Sequence, residues 1–225
     1  MPNNPAAGAL QAKSPSQRAL DHPERPRILP PPKMPMDVAR QYLKEHHLYD
    51  ELLTLRHWHG GWWYWRGSHW SEIDDRCVRS WLYGYTEHAV YGDNDGLAPW
   101  APTRHKIVDL ADALASTCYL DREIEQPCWL SGTATETIVS CANGLLDVQR
   151  RQLLPHTLDF FNQTAVPFNY DPNATEPERW IDFLQQLWPG EPESVDVLGE
   201  WFGYLISGRT DLHNRRRCHG EGPRL

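Results

Sequence analysis

No two of the five cysteines, Cys77, Cys118, Cys128, Cys141 and Cys218, stand in a CxxC pair. That leaves out paired-thiolate zinc sites and dithiol redox motifs, and an odd count leaves one thiol over in any disulfide framework. No apolar run approaches the roughly 18 residues of a membrane span. The N-terminus lacks the charged start and apolar centre of a secretory signal. These absences point to a reduced, cytoplasmic protein with no membrane partner. No Gly-Lys dipeptide occurs, so there is no GxxxxGK[ST] loop, whose amides and lysine hold nucleotide phosphates. Cations are also short. Residues 37–208 carry 12 Lys/Arg against 26 Asp/Glu, a net of −14, whereas 1–36 and 209–225 each stand at +3. So acidic a body is poor material for tracking phosphates, because DNA affinity depends on cations that release counterions. Any DNA contact must use a local patch, the termini or a partner domain.

What is present is a sizeable core. Of 225 residues, 40% are hydrophobic and 11 are Trp. Residues 1–36 are rich in Pro, Ala, Ser and Gln, with Pro30-Pro31-Pro32 near their end. Such a segment buries too little to offset its ordering entropy, so a disordered leader is expected there. Asp37 is a fair N-cap for a helix whose inner face is Val38, Tyr42, Leu43 and His46. Leu52–Leu55, Trp62–Trp65 and His69–Ile73, with turns at Gly60-Gly61 and Gly67-Ser68, predict a three-stranded meander. Strand alternation sends Trp63 and Trp65 to one face and Trp62 and Tyr64 to the other. One row is core. The other either packs under a helix or forms a stacking platform for single-stranded DNA, with Arg56 and Arg66 the only cations near.

Asp74-Asp75 starts a helix striped by Val78, Trp81, Leu82 and Tyr85. Gly92–Gly96 is a loop without the terminal Glu of a calcium loop. Pro102-Thr103 opens a helix with Ile107, Leu110, Ala111 and Leu114 inward, ending at Cys118. Pro127–Leu130 is an edge strand. Thr175 or Glu176 caps a helix that buries Trp180, Phe183, Leu184 and Leu187. Pro192 begins another, with Val195, Leu198, Trp201, Phe202 and Leu205 at helical spacing. His57, His59 and His69 lack the tight ligand spacing of a zinc site. Cys141, with His156 the nearest base in sequence, is more simply a buried thiol than a nucleophile. No catalytic, cofactor-binding or metal-binding residue is assigned.

The central stretch, Cys141 to Pro172, makes a second meander. Ile138–Ala142 is followed by Asn143-Gly144, a pair that supplies the positive backbone angles of a tight turn. Leu145–Val148, the polar loop Gln149–Gln152 and Leu153-Leu154 complete it. The pieces CANGLLDVQRRQLLPHT, FFNQTAVPFNYDP and RWIDFLQQLWPGEPESVDVLGEWFGYLISG resemble the helicase-associated region of phage and plasmid primase–helicases, shared with the poxvirus-type primase–helicase. The likeness covers roughly residues 37 to 211.

In that family the region lies just before a superfamily 3 helicase ATPase domain. The resemblance therefore implies a part in initiating DNA replication, by ordering an ATP-dependent ring or contacting DNA for it. ATP and Mg belong to the helicase domain, and the parent family assembles as a hexameric ring, so homo-oligomerisation is implied here. Family likeness stops near Asp211. Two readings stand for residues 209–225: an aberrant, disordered tail on a chain truncated before the ATPase domain, or a functional basic tail. Arg150 and Arg151 are the leading DNA-contact candidates, followed by Arg66, Trp63 and Trp65. The expected fold is α+β: two small antiparallel meanders with flanking helices, closed by a C-terminal helical pair. The alternative function is a folded interaction module, or an inactive remnant, without a DNA role.

Overall fold

The computed structural model describes residues 26–94, 96–132 and 137–207. The fold is α+β, with small antiparallel sheets and five helices among the described residues. Two compact units divide it. One takes the described parts of Met1–Ala134 and His156–Ala165, the other those of Thr135–Pro155 and Val166–Leu225. The tail expected over 209–225, with its Arg run, lies outside the described residues.

In the first unit, α1 (Pro35–His46), α2 (Asp75–Thr86) and α3 (Arg104–Thr117) pack together. Their inward faces match the sequence spacing: Val38, Tyr42 and Leu43, then Val78, Leu82 and Tyr85, then Ile107, Leu110, Ala111 and Leu114 are buried. Asp74 caps α2 by accepting from the Arg76 amide at 2.6 Å, and Thr103 caps α3 by accepting from Lys106 at 3.4 Å. Helix α1 starts earlier than expected. Pro35 takes its first turn, where a missing N–H costs nothing, and Asp37 instead pairs with Arg40.

Between α1 and α2 run β1 (Leu48–Tyr49), β2 (Leu52–Leu53), β3 (Leu55–Trp58), β4 (Gly61–Trp65) and β5 (Trp70–Ile73). Strands β3, β4 and β5 form a three-stranded meander, with Trp62 opposite Ile73 and Trp65 opposite Trp70. Its first strand is Leu55–Trp58 rather than the expected Leu52–Leu55, because Leu52 and Leu53 pair instead with Tyr49 and Leu48. Its two faces divide as alternation requires. Trp62 and Tyr64 join the helical core, while Trp63 and Trp65 join a second core of Trp58, Trp70, Leu120, Leu158 and Phe161. Both rows are therefore packed. Phe161 meets Trp58, Trp63 and Trp70 with ring centroids 5.2–6.1 Å apart. Aromatic pairs of this kind add about 0.5–1.5 kcal/mol beyond area burial.

Two features depart from the sequence reading here. First, the end of the Pro-rich leader is fixed: Leu29 is buried, its amide donates to Val90, and Pro30 accepts from the Trp100 indole at 3.2 Å. Residues 1–25 lie outside the described residues. Second, the Gly92–Gly96 loop belongs to a hairpin of β6 (Val90–Asp93) and β7 (Gly96–Pro99), anchored by Arg27 and Leu29 on Val90. The edge strand expected over Pro127–Leu130 is present as the shorter β8 (Cys128–Trp129), paired with β12 (Phe160–Phe161) in a two-stranded sheet.

The second unit is built on β9 (Ile138–Cys141), β10 (Gly144–Asp147) and β11 (Gln152–Leu154), in the order β11-β10-β9. The turn before β10 uses Ala142-Asn143, and Gly144 is the first strand residue, paired with Cys141. Its φ of 155° and a Cβ that would lie 2.5 Å from the Leu154 carbonyl both demand glycine. Residues 166–168 run beside β9, Val166 donating to Ser140 and Phe168 accepting from Ala142.

Helices α4 (Glu178–Leu187) and α5 (Pro192–Ser207) follow. Pro177, not Thr175 or Glu176, stands at the N-cap of α4. The helices meet through Trp180 and Phe202, with centroids 6.0 Å apart, and α5 touches β9. The expected burial is corrected here. Leu184 is buried, but Trp180, Phe183, Leu187, Trp201, Phe202 and Leu205 are 41–55% exposed. Periodicity marks an apolar face; it does not supply a surface to cover it. No described helix is long and apolar enough to cross a membrane.

Candidate functional site

The sequence candidates fall in separate units. In the first, Trp63 donates its indole N–H to the Trp58 carbonyl at 3.2 Å and packs beside Phe161. Trp65 leans on Trp70 at 5.6 Å. Both are half-buried, with their rings packed against the second core. Arg66 is exposed, its guanidinium 5.2 Å from the Tyr64 ring centroid. Arg56, on β3 opposite Trp63, is half-buried, and burial pushes its pKa down, against the pull of Cys118 and Asp159.

The three histidines have separate surroundings. His57 packs edge-on to Trp62, and burial lowers its pKa. His59 donates to the Arg122 carbonyl at 2.8 Å, and His69 lies 3.0 Å from the Ser68 hydroxyl. No group of three possible metal ligands occurs among the described residues. Cys141 is buried in β9, which raises its thiol pKa, and His156 belongs to the other unit. A protonated thiol is a poor nucleophile.

In the second unit the loop between β10 and β11 carries Arg150 and Arg151. Asp147, at the end of β10, shapes it. Its carboxylate accepts from the Arg150 amide at 2.9 Å and from the Arg150 guanidinium at 2.8 Å. Arg151 follows with φ 52°, the left-handed conformation that closes the loop. It is exposed and makes no ion pair among the described residues.

Arg151 lines an open cleft of about 330 Å³ with Leu146, Val148 and Tyr170. Leu146 and Val148 lie two apart along the β10 direction, which puts them on one face, opposite buried Leu145 and Asp147. Tyr170 is the member the sequence reading missed. Asn143 fixes it: the Asn143 amide donates to the Tyr170 carbonyl, and its carbonyl oxygen accepts from the Tyr170 amide, both at 2.9 Å. The available signal was the Asn of the Asn-Gly pair, whose side chain commonly bonds to backbone near turns.

Residues 131–189 match the family described as D5 N terminal like, a primase–helicase-associated domain. The match takes in β9–β11, the cleft and α4. No curated protein sequence matches the chain.

Proposed function

We propose that this chain is the helicase-associated region of a phage or plasmid primase–helicase. It would act in the initiation of DNA replication, in the cytoplasm, beside an ATP-dependent superfamily 3 helicase domain. The observation that carries this reading is the family match over residues 131–189. In this reading ATP and Mg belong to the helicase domain, and the present chain contributes positioning and DNA contact to the ring it helps order. Arg150 and Arg151 supply cations to an otherwise acidic body, and Arg66 is a further exposed cation in the first unit. Trp63 and Trp65 serve the fold of that unit before any DNA role. The test adds purified chain to a superfamily 3 helicase encoded in the same replicon. Association with it, and a change in its DNA-stimulated ATP hydrolysis or unwinding, is expected. No association and no change would overturn the reading.

A second reading is an interaction module without a DNA role. One observation favours it: the large apolar side chains that α4 and α5 leave exposed. Association with the helicase without any binding of DNA by the chain would select it.

A further inference from the structure

We infer that the cleft of Leu146, Val148, Arg151 and Tyr170 holds one nucleotide of single-stranded DNA, with the base on the Tyr170 ring and a phosphate on Arg151. This rests on the DNA-linked reading above and deepens it. The lining residues are of the types an unpaired nucleotide calls for: an aromatic for the base, aliphatics for the base edge and sugar, and an arginine for the phosphate. At about 330 Å³ the cleft is at the small end of ligand sites, which run from about 300 to 1,000 Å³. A duplex keeps its bases stacked inside, so only an unpaired strand can fill it.

Both walls are held in place before any ligand arrives. Asn143 grips the backbone of Tyr170 on both sides of the residue, and Asp147 sets the loop that presents Arg151. Asp147 also engages Arg150, which leaves Arg151 as the cation facing the cleft. Asp171, next to Tyr170, accepts from the Asn173 amide at 2.9 Å. With one arginine in the lining, the phosphate contribution is small. Stacking therefore carries the affinity, and stacking tolerates any base.

The salt dependence should be correspondingly shallow. One phosphate contact on a single strand gives a slope of log K against log salt of about −0.7. The experiment titrates the full chain into fluorescein-labelled oligothymidylate and follows anisotropy over a range of salt. Tyr170→Ala should weaken binding about tenfold or more, while Tyr170→Phe keeps the ring and the affinity. Arg151→Gln should flatten the slope by about 0.7. Hydrogen exchange across 138–154 reports whether each variant is folded. Should Tyr170→Ala unfold, Arg151→Gln, in an exposed loop, carries the test.

Three results would overturn the inference: no binding of the oligonucleotide, folded Tyr170→Ala binding like the parent, or displacement by duplex DNA or a Phe-ended peptide more readily than by unlabelled single strand. Helicase stimulation with any of these leaves the proposed function standing and removes the cleft. Tyr170-dependent binding without an effect on the helicase does the reverse.

Discussion

Asp147 is almost fully buried and holds Arg150 by two contacts, whereas Arg151, the next residue, is turned to the cleft. Adjacent arginines thus have different surroundings. Arg150→Ala removes a charged partner from a side chain only 3% exposed, while the backbone bond to Asp147 remains. The Arg150 end is 62% exposed and screened, so the loss should be about 1 kcal/mol. Arg151→Ala should leave stability unchanged. Urea unfolding of both variants gives the comparison, and equal destabilisation would contradict the division of roles. Gly144 is more demanding. A Cβ there meets the Leu154 carbonyl first, which cannot swing away as the Leu153 side chain can, so Gly144→Ala should cost on the order of 1–3 kcal/mol. Faster exchange of the β9–β11 amides is the expected signature. Cys118 adds a pH dependence. Burial, against the opposing pull of Arg56, pushes its thiol from the ordinary 9.0 up to about 12. The folded state favours the neutral thiol, so this stabilisation is complete below pH 9 and declines as pH rises through 12. Buried Tyr42 and Tyr85 are also raised and act in the same direction. Cys118→Ala should therefore make alkaline loss of stability shallower without abolishing it, as denaturant midpoints from neutral to alkaline pH would show.

Among the elements, β5 and α5 should respond unequally to the same kind of truncation. Trp70 on β5 is fully buried among aromatic rings, and Trp70→Ala should cost about 3–5 kcal/mol. Trp201 on α5 is 52% exposed, and Trp201→Ala should cost about 1 kcal/mol or less. Urea unfolding of the full chain measures both, and a cost at Trp201 matching that at Trp70 would mean α5 is covered in solution. This contrast marks where the sequence was legible. Alternation of period two placed Trp62 and Tyr64 opposite Trp63 and Trp65, and the three-to-four spacing of α1, α2 and α3 named their buried faces. Those signals are local. The pairing of β8 with β12 joins residues some thirty apart in two-residue strands, which no local pattern encodes. The hairpin β6–β7 was hidden because Gly, Asp and Pro read as loop, and residues near the N-terminus fix it. The apolar faces of α4 and α5 were visible, but exposure depends on what lies against them. The cleft was half legible: Arg150-Arg151 announced a polar loop, while Tyr170 reaches it through a side-chain clamp 27 residues away.

For the whole molecule, the proposed DNA role leads charge to separate two expected ways of meeting DNA. The acidic body, at −14 over residues 37–208, repels phosphates on average, whereas residues 209–225 carry 5 Lys/Arg against 2 Asp/Glu. Duplex DNA presents a dense phosphate array and no accessible base face, so its binding should draw on the terminal arginines. On the inference drawn above, single-stranded DNA should draw on the cleft and chiefly on stacking. The modes differ in salt dependence, because counterion release scales with the number of phosphates engaged. Replacing Arg215, Arg216 and Arg217 together with Ala should weaken duplex binding and reduce its salt slope by up to about 0.9 for each phosphate left without a cation. The same variant should keep most of its oligothymidylate affinity, and Tyr170→Ala should leave the duplex slope as it was. Anisotropy titrations of both DNA forms over one salt series measure all of this. An unchanged duplex slope in the triple variant would show that the basic tail does not contact DNA, and parallel weakening on both DNA forms would mean that one surface serves both.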